Sequence, residues 1–136
     1  MGFVIGQKFC VTELFTGTLN MNGGTLVICG EFTPQSFNFN GGLLVNNGYV
    51  EVSSINVNGG LENYSTLVVN GNVNVNNGTL INECTINISD DLTINTGLSN
   101  GGFITVGNRT TFNSGTIVLS ENSRIETTDF IGLRYS

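Results

Sequence analysis

The sequence contains no histidine, tryptophan or alanine, one proline (Pro34) and one lysine (Lys8). Without histidine, the chain can form neither a Ser-His-Asp triad nor an imidazole metal site. Four basic and ten acidic residues give the 136-residue chain a net charge of −6. Nucleic acids and anionic membrane surfaces attract basic proteins, so we expect no nucleic-acid partner.

Hydrophobic runs are also short, and none approaches the length that spans a membrane. The first residues, MGFVIGQKFCVTELF, lack the basic start and the small-residue cleavage site of a secretory signal peptide. We therefore expect no membrane insertion. The expected location is the cytoplasm, or the extracellular space if the sequence is a mature segment.

The acidic residues form no arrangement typical of catalysis or metal binding. An 18-residue repeat runs through the chain, and Glu31, Glu51 and Glu83 fall at different positions of it. No carboxylate pair of the glycosidase kind is therefore predicted. Asp90-Asp91 is interpreted as a turn insertion rather than a cation site, since the calcium-binding nonapeptide repeat is absent. The sequence therefore predicts no catalytic, cofactor-binding or metal-binding residue, no cofactor and no enzymatic activity.

The three cysteines, Cys10, Cys29 and Cys84, are odd in number and follow no metal-binding spacing. Cys10 and Cys29 lie near equivalent positions of successive repeats. If the repeats stack as coils, a disulfide between the two residues is geometrically possible. The sequence favours buried free thiols instead, because free cysteine behaves as a small hydrophobic residue.

Asparagine and glycine are abundant, with 21 and 19 residues. One asparagine recurs every 18 residues, with a single step of 19, and each copy is followed two residues later by glycine. The copies are Asn22, Asn40, Asn58, Asn76, Asn95 and Asn113. A short fixed period sustained over so many copies is the signature of stacked coils. Like charges repel in such a stack, whereas asparagine amides hydrogen-bond to their own kind.

Each 18-residue unit subdivides into sixes, as in GGLLVN, NGYVEV and SSINVN of residues 41–58. Each six is a turn-forming dipeptide followed by about four residues rich in strand formers. The sequence thus predicts an all-β fold: a parallel β-solenoid (β-helix) with roughly triangular coils of about 18 residues and three short strands per coil. The one extra residue is assigned to Asp90 or Asp91.

Alternation along the strands predicts which side chains line the interior. In the first strand of each coil the inward residues are Leu19/Met21, Phe37/Phe39, Ile55/Val57, Val73/Val75, Leu92/Ile94 and Thr110/Phe112. The outward residues are Asn20, Asn38, Asn56, Asn74, Thr93 and Thr111. The other two walls are assigned Leu43/Val45, Leu67/Val69, Val50/Val52, Ile86/Ile88 and Ile104/Val106. A one-residue slip between Val50/Val52 and Leu67/Val69 is attributed to a corner of different length. The recurring asparagines are expected to form a structural amide ladder rather than a ligand site.

The chain divides into three segments. Residues 1–18 are interpreted as an atypical N-terminal capping or docking coil, 19–119 as β-solenoid repeats and 120–136 as a C-terminal cap. The two ends carry half of all the charges, and charge at exposed strand edges discourages edge-to-edge growth. We expect protein partners, through self-association or docking on a larger assembly at the terminal coils.

The NVN and NGG style of coil over residues 19–118 resembles the asparagine- and glycine-rich β-helical segments of phage and large-virus structural proteins. A weaker similarity links the chain to bactofilins, which share the near-equal coil length but have apolar terminal coils. The first resemblance implies a non-catalytic structural protein, a rigid building block of a virion (fibre, spike or capsid decoration) or of another large assembly. The alternative is a self-polymerising filament or an extracellular adhesin or fibre subunit.

Two further alternatives concern the outer surface. An Asn/Thr-x-Asn grid from Asn20/Asn22 to Thr111/Asn113 resembles the Thr-x-Thr arrays of solenoid antifreeze proteins, although asparagine stands where those proteins use threonine. This resemblance makes ice binding the second alternative. A carbohydrate-binding module has less support, because the candidate aromatic platforms, Tyr49, Tyr64 and Tyr135, form no stripe.

Overall fold

The structure, a computed structural model, describes residues 2–3 and 8–132, and the side chains of residues 12–132. Every regular element in this part of the chain is a β-strand, and the strands pair in parallel between successive coils. They wind into a β-solenoid of about six turns with about 18 residues per turn. The predicted fold class is therefore confirmed.

Three walls surround the interior, and each takes one strand from each coil. The Leu wall contains β2 (Lys8–Val11), β4 (Thr25–Ile28), β7 (Leu43–Asn46), β10 (Gly60–Asn63), β13 (Leu80–Asn82), β16 (Gly97–Asn100) and β18 (Thr116–Leu119). The Val/Ile wall contains β5 (Glu31–Phe32), β8 (Tyr49–Val52), β11 (Thr66–Val69), β14 (Thr85–Ile88) and the first parts of β17 (Phe103–Phe112) and β19 (Arg124–Ile131). The Asn wall contains β1 (Gly2–Phe3), β3 (Thr18–Met21), β6 (Ser36–Phe39), β9 (Ile55–Val57), β12 (Val73–Val75), β15 (Leu92–Ile94) and the last parts of β17 and β19.

A continuous apolar core fills the space between the walls. In the Asn wall the predicted inward residues are buried, except that Phe37 is half-buried. In the Val/Ile wall, Val50 pairs with Leu67, a step of 17 residues (67 − 50), which confirms the predicted slip. Each buried Leu, Ile, Val or Phe contributes roughly 1.5–3 kcal/mol of transfer free energy, and conformational entropy offsets most of the sum.

The prediction for Leu43 and Val45 is wrong. Leu44 pairs with Leu26 and is fully buried, as is Asn46 on the same face of β7. The preceding corner ends at Gly42, which adopts a φ of 93° that disfavours other residues. The inward phase therefore starts one residue later than the six-residue pattern assumes, and a slip of one residue sends Leu43 and Val45 outward.

The extra residue of the repeat also lies elsewhere than predicted. Leu61 pairs with Leu80, already 19 residues on (80 − 61), so the insertion precedes β13. The corner at 89–91 has the same length as the corner at 70–72 one coil earlier. The insertion therefore belongs to the corner at 76–79, and Asp90-Asp91 sits in a corner of ordinary length.

Both ends of the described chain continue the winding. β2 pairs with β4, and β19 pairs with both parts of β17. A capping or docking role for residues 1–18 and 120–136 stays a prediction.

Candidate functional site

A column of four asparagines runs along the inner side of the Leu wall. The four side chains are fully buried: Asn46, Asn63, Asn82 and Asn100. In each of the first three, Nδ2 donates to the Oδ1 of the next, over 2.8, 2.9 and 2.8 Å. The ladder ends where Ile28 and Leu119 occupy the neighbouring register positions.

The buried amides also close the corner between the Leu and Val/Ile walls. Asn46 Oδ1 accepts a hydrogen bond from the N–H of Gly48 at 3.0 Å, and Asn63 Nδ2 donates to the carbonyl of Thr85 at 2.9 Å. Every buried side-chain nitrogen and oxygen in the described chain has a partner, as stable interiors require. Sequence reasoning missed this column, although a Leu-x-Asn triplet in four successive coils marks it.

The outer side of the Asn wall carries two more ladders, which confirms the predicted use of asparagine. In the first column, Asn38 donates to Asn20 at 2.6 Å and Asn74 to Asn56 at 3.1 Å. In the second column the linked pairs are Asn40 to Asn22 (2.9 Å), Asn95 to Asn76 (3.1 Å) and Asn113 to Asn95 (2.7 Å). Both columns are interrupted between β6 and β9, where Asn58 donates instead to the carbonyl of Phe39 at 3.0 Å.

The backbone is interrupted at the same place. Among the described strands, β6 ends one sheet of the Asn wall, while β9, β12 and β15 belong to a separate sheet that they join through β17. We call this boundary the seam; it lies between residues 33–40 and 51–58. The coils on either side of it remain paired through β4 with β7 and β5 with β8.

The seam begins at Pro34. The N–H groups of Thr33 and Gln35 donate to carbonyls of the preceding coil, so alternation makes residue 34 face the next coil. Proline has no N–H to donate there, and β5 ends at Phe32 although β8 continues to Val52. The corner after β8 then has only two residues, 53–54, whereas the next coil has three at 70–72.

A polar groove follows the seam. A cavity of about 230 Å³ lies between residues 34–38 and 52–54, and one of about 170 Å³ continues between 37–40 and 54–58. Amides and hydroxyls form most of the lining, and Pro34 and Phe37 add apolar surface. A third cavity extends around the corner to Glu51 and Asn70.

Glu51 lies at the mouth of the groove and is held by two donors. Asn70 Nδ2 donates to Glu51 Oε2 at 3.0 Å and the hydroxyl of Tyr49 to Oε1 at 2.8 Å. These bonds, Asn70 first, lower the pKa of Glu51 below its ordinary 4.5. The bond to Glu51 is also the main cause that raises the pKa of Tyr49 above 10.0. At neutral pH Glu51 is therefore an ionised acceptor.

The other tyrosines are not part of this arrangement. Tyr64 is exposed, and its hydroxyl donates to Glu62 at 2.6 Å, which raises the pKa of Tyr64 above 10.0. Tyr135 lies outside the described residues. The three predicted aromatic positions therefore do not come together among the described residues.

The C-terminal coil leaves core positions uncovered. Ile117 pairs with Leu98, Leu119 with Asn100, and Phe130 with Thr110, and all three partners are buried. Leu119 is nevertheless 56% exposed and Phe130 52% exposed, because no further coil covers them within the described residues. We call this surface the open end; its core positions are Ile117, Leu119, Ile125 and Phe130.

Charge at the open end lies on the outer sides of the coil. Arg124 Nη2 contacts Glu126 Oε1 at 2.7 Å, and Arg109 Nε contacts Asp129 Oδ2 at 3.1 Å. All four side chains are more than half exposed, so these pairs add little to stability. Within each pair the two charges cancel, and the core positions of the open end are apolar.

Of the predicted buried free thiols, only the free state of Cys84 is confirmed among the residues whose side chains are described. Cys84 is a free thiol, but it is exposed rather than buried. Cys29 is exposed and disulfide-bonded. The side chain of Cys10 lies outside the described residues.

Within the described residues, no group of three or more acidic, cysteine or histidine side chains could hold a metal ion. The same part of the chain contains no helix long and apolar enough to cross a membrane. Glu31 stands in register with Tyr49, and Glu51 with Val68, so these two carboxylates occupy different columns. No family model, curated protein or solved structure matches the chain.

Proposed function

We propose that the protein is a non-catalytic building block that assembles with other protein subunits through the ends of its solenoid. The observation that carries this proposal is the open end. Its core positions continue the buried columns of the preceding coil, yet Leu119 and Phe130 are more than half exposed. One more parallel coil, supplied by another subunit, would cover these side chains and pair the free edges of β18 and β19.

A second copy of the chain is suited to supply that coil. By backbone register, Phe9 of β2 occupies the column of Leu26, and Val11 that of Ile28. By register, β2 therefore has apolar residue types at the same positions of the coil that are uncovered at the open end. Head-to-tail contacts of this kind repeat until a ring closes or a filament forms.

The finer proposal, a fibre, spike or decoration protein of a virion, is supported by the resemblance of residues 19–118 to such segments. A self-polymerising filament or an extracellular adhesin or fibre subunit is the alternative. Closed small oligomers favour the first proposal, and open filaments favour the alternative.

The test is solution mass against concentration, with electron microscopy of the particles that form. We expect mass to rise above the monomer between about 1 μM and 1 mM, which corresponds to binding free energies of roughly −8 to −4 kcal/mol. Phe130→Lys places a charge on the open end and should shift the association midpoint at least about tenfold upward, since burying an unpaired charge costs several kcal/mol.

Phe103→Lys is the matched control. Phe103 is as exposed as Phe130 but lies on the outer side of β17, where Arg124 of the next strand stands in register. This variant should associate like the parent. A protein that stays monomeric over the whole range, or one that both substitutions affect equally, contradicts the proposal.

Ice binding is a second proposal, supported by the register of the outward asparagines at the spacing of paired strands. The seam divides that grid, so the surface offers two short arrays rather than one. Thermal hysteresis of the purified protein, lost in Asn74→Lys, is the expected result. Absence of hysteresis removes the idea.

A further inference from the structure

We infer that the groove along the seam binds a small, neutral carbohydrate. The first reason is unused hydrogen-bonding capacity. Asn38 donates to Asn20 but accepts from no partner in the next coil, and Asn56 accepts from Asn74 but has no acceptor in the preceding coil. Asn56 Nδ2, a donor, and Asn38 Oδ1, an acceptor, therefore face the groove from opposite sides, as a pair of neighbouring sugar hydroxyls would require.

The backbone adds to this capacity. No ladder joins β6 to β9 in the described chain, so amide and carbonyl groups of both strands border the groove instead of pairing with each other. Ser53 and Ser54 contribute hydroxyls to the lining, and Gln35 contributes an amide. These side chains are exposed, and a ligand that offers both donors and acceptors can bond to them and to the backbone groups together.

The charge of the lining selects a neutral ligand. No basic residue lines any of the three cavities along the seam, and Glu51, at one mouth, is the acidic residue among their lining residues. An anion would meet no positive charge, and one carboxylate does not provide the several oxygen ligands that a hard cation needs. Glu51 is instead placed to accept a hydrogen bond from a hydroxyl group of a ligand that reaches the corner.

The shape of the groove excludes a peptide strand. A strand inserted between β6 and β9 would require these two strands to lie roughly 9.6 Å apart, twice the spacing of paired strands. The flanking coils stay paired on the other two walls, and Asn58 holds the carbonyl of Phe39 at 3.0 Å. The three cavities along the seam, about 230, 170 and 360 Å³, are each below or near the lower end of the roughly 300–1,000 Å³ of sites for drug-sized molecules. One or two sugar rings are the appropriate size.

An apolar patch in the groove matches the other face of a sugar. Pro34 and Phe37 line the cavity of about 230 Å³, and Phe37 packs on Phe32 and Phe39 with ring centroids 5.2 and 5.7 Å apart. These contacts fix the half-buried ring. The C–H face of a pyranose can pack on Pro34 and Phe37 while its hydroxyls form hydrogen bonds with the side-chain amides of Asn38 and Asn56.

The test is an NMR titration of the ¹⁵N-labelled full chain. The probes are glucose, galactose, mannose and cellobiose, each raised to about 50 mM, well above a millimolar Kd. We expect saturable shifts, with at least one sugar, in the backbone amides of residues 35–40 and 52–56 and in the side-chain amides of Asn38 and Asn56. Asn56→Ala should weaken that binding at least about tenfold, the loss expected for a polar contact of about 1.4 kcal/mol.

Asn113→Ala is the matched control, because it removes an outward amide of the Asn wall that bonds Asn95 and lies outside the groove lining. It should leave the affinity unchanged. The proposal is overturned if no sugar gives saturable shifts at these residues, if both alanine variants lose affinity equally, or if an extended peptide produces the shifts that sugars do not. None of these outcomes depends on self-association, which Phe130→Lys tests separately.

Discussion

Asn82 shows how much one side chain contributes to this solenoid. Its amide accepts from Asn63 (2.9 Å) and donates to Asn100 (2.8 Å) inside the core. It also bonds the backbone of Cys84 and Phe103, at 3.2 to 3.3 Å. A charged residue here would be buried without a partner of opposite charge, and an apolar one would leave the corner backbone unpaired. Asparagine offers both donor and acceptor without charge, which explains its abundance.

Asn82→Ala is expected to lower the free energy of unfolding by roughly 2–4 kcal/mol, because several buried polar groups lose a partner at about 1–3 kcal/mol each. The measurement is urea denaturation with a constant m-value. Asn87→Ala, at an exposed position of β14, should change stability by no more than about 0.5 kcal/mol. Equal losses in the two variants would show that the buried ladder contributes nothing specific.

At Glu51 the prediction concerns pH. Asn70→Ala should raise the pKa of Glu51 towards 4.5, and Tyr49→Phe should raise it less, because Asn70 is the larger of the two causes. Since the folded pKa is depressed, the linked stabilisation is present above the unfolded pKa and is lost as the pH falls through the folded value. Carboxyl ¹³C shifts measured against pH report the pKa directly. A parent pKa at or above 4.5, or one unchanged by Asn70→Ala, is the contrary result.

Residue types alone predicted the inward and outward sides of the Asn wall, because alternation there is strict over six coils. They did not predict that Asn46 and its equivalents lie inside. Burial of an amide depends on whether the neighbouring coil supplies a second amide and a carbonyl at hydrogen-bond distance. That condition is met only once the coils are stacked.

At the scale of elements, corners decide where strands pair. Gly42 shifts β7 by one residue, the corner at 76–79 holds the insertion, and Pro34 ends β5 early. The sequence contains all three signals. A longer corner in one place and a shorter corner in another cancel, however, so the period of the repeat stays the same. Only the register between strands reveals which corner changed, so the seam was not predictable from periodicity.

Pro34→Val restores an N–H that faces the next coil. We expect β5 to extend alongside β8, and the amides of residues 52–54 to exchange with solvent roughly fivefold more slowly, since one net hydrogen bond contributes about 1 kcal/mol. Hydrogen–deuterium exchange followed by NMR measures this. Thr33→Val is the control, because the N–H of Thr33 already donates to Phe15 in the preceding coil. Unchanged exchange in Pro34→Val would mean that proline does not cause the seam.

The whole molecule is a stack in which each coil covers the one before it. Apolar columns run along the stack, the amide ladders extend over only some of its coils, and no further coil covers the open end within the described residues. This geometry explains why an asparagine-rich chain with few charges folds. The two proposals concern its surfaces, with assembly at the open end and ligand binding at the seam. The period in the sequence predicts that the coils stack. The seam on the outside of the stack, in contrast, depends on corners that differ in length from coil to coil.

The most direct test of the stacking is a set of nuclear Overhauser contacts between side-chain amides of the buried column. The structure predicts cross-peaks from the Nδ2 hydrogens of Asn63 to those of both Asn46 and Asn82, which lie 17 and 19 residues away in sequence (63 − 46 and 82 − 63). If Asn63 shows no contact with either residue, successive coils do not lie over one another, and the solenoid is contradicted.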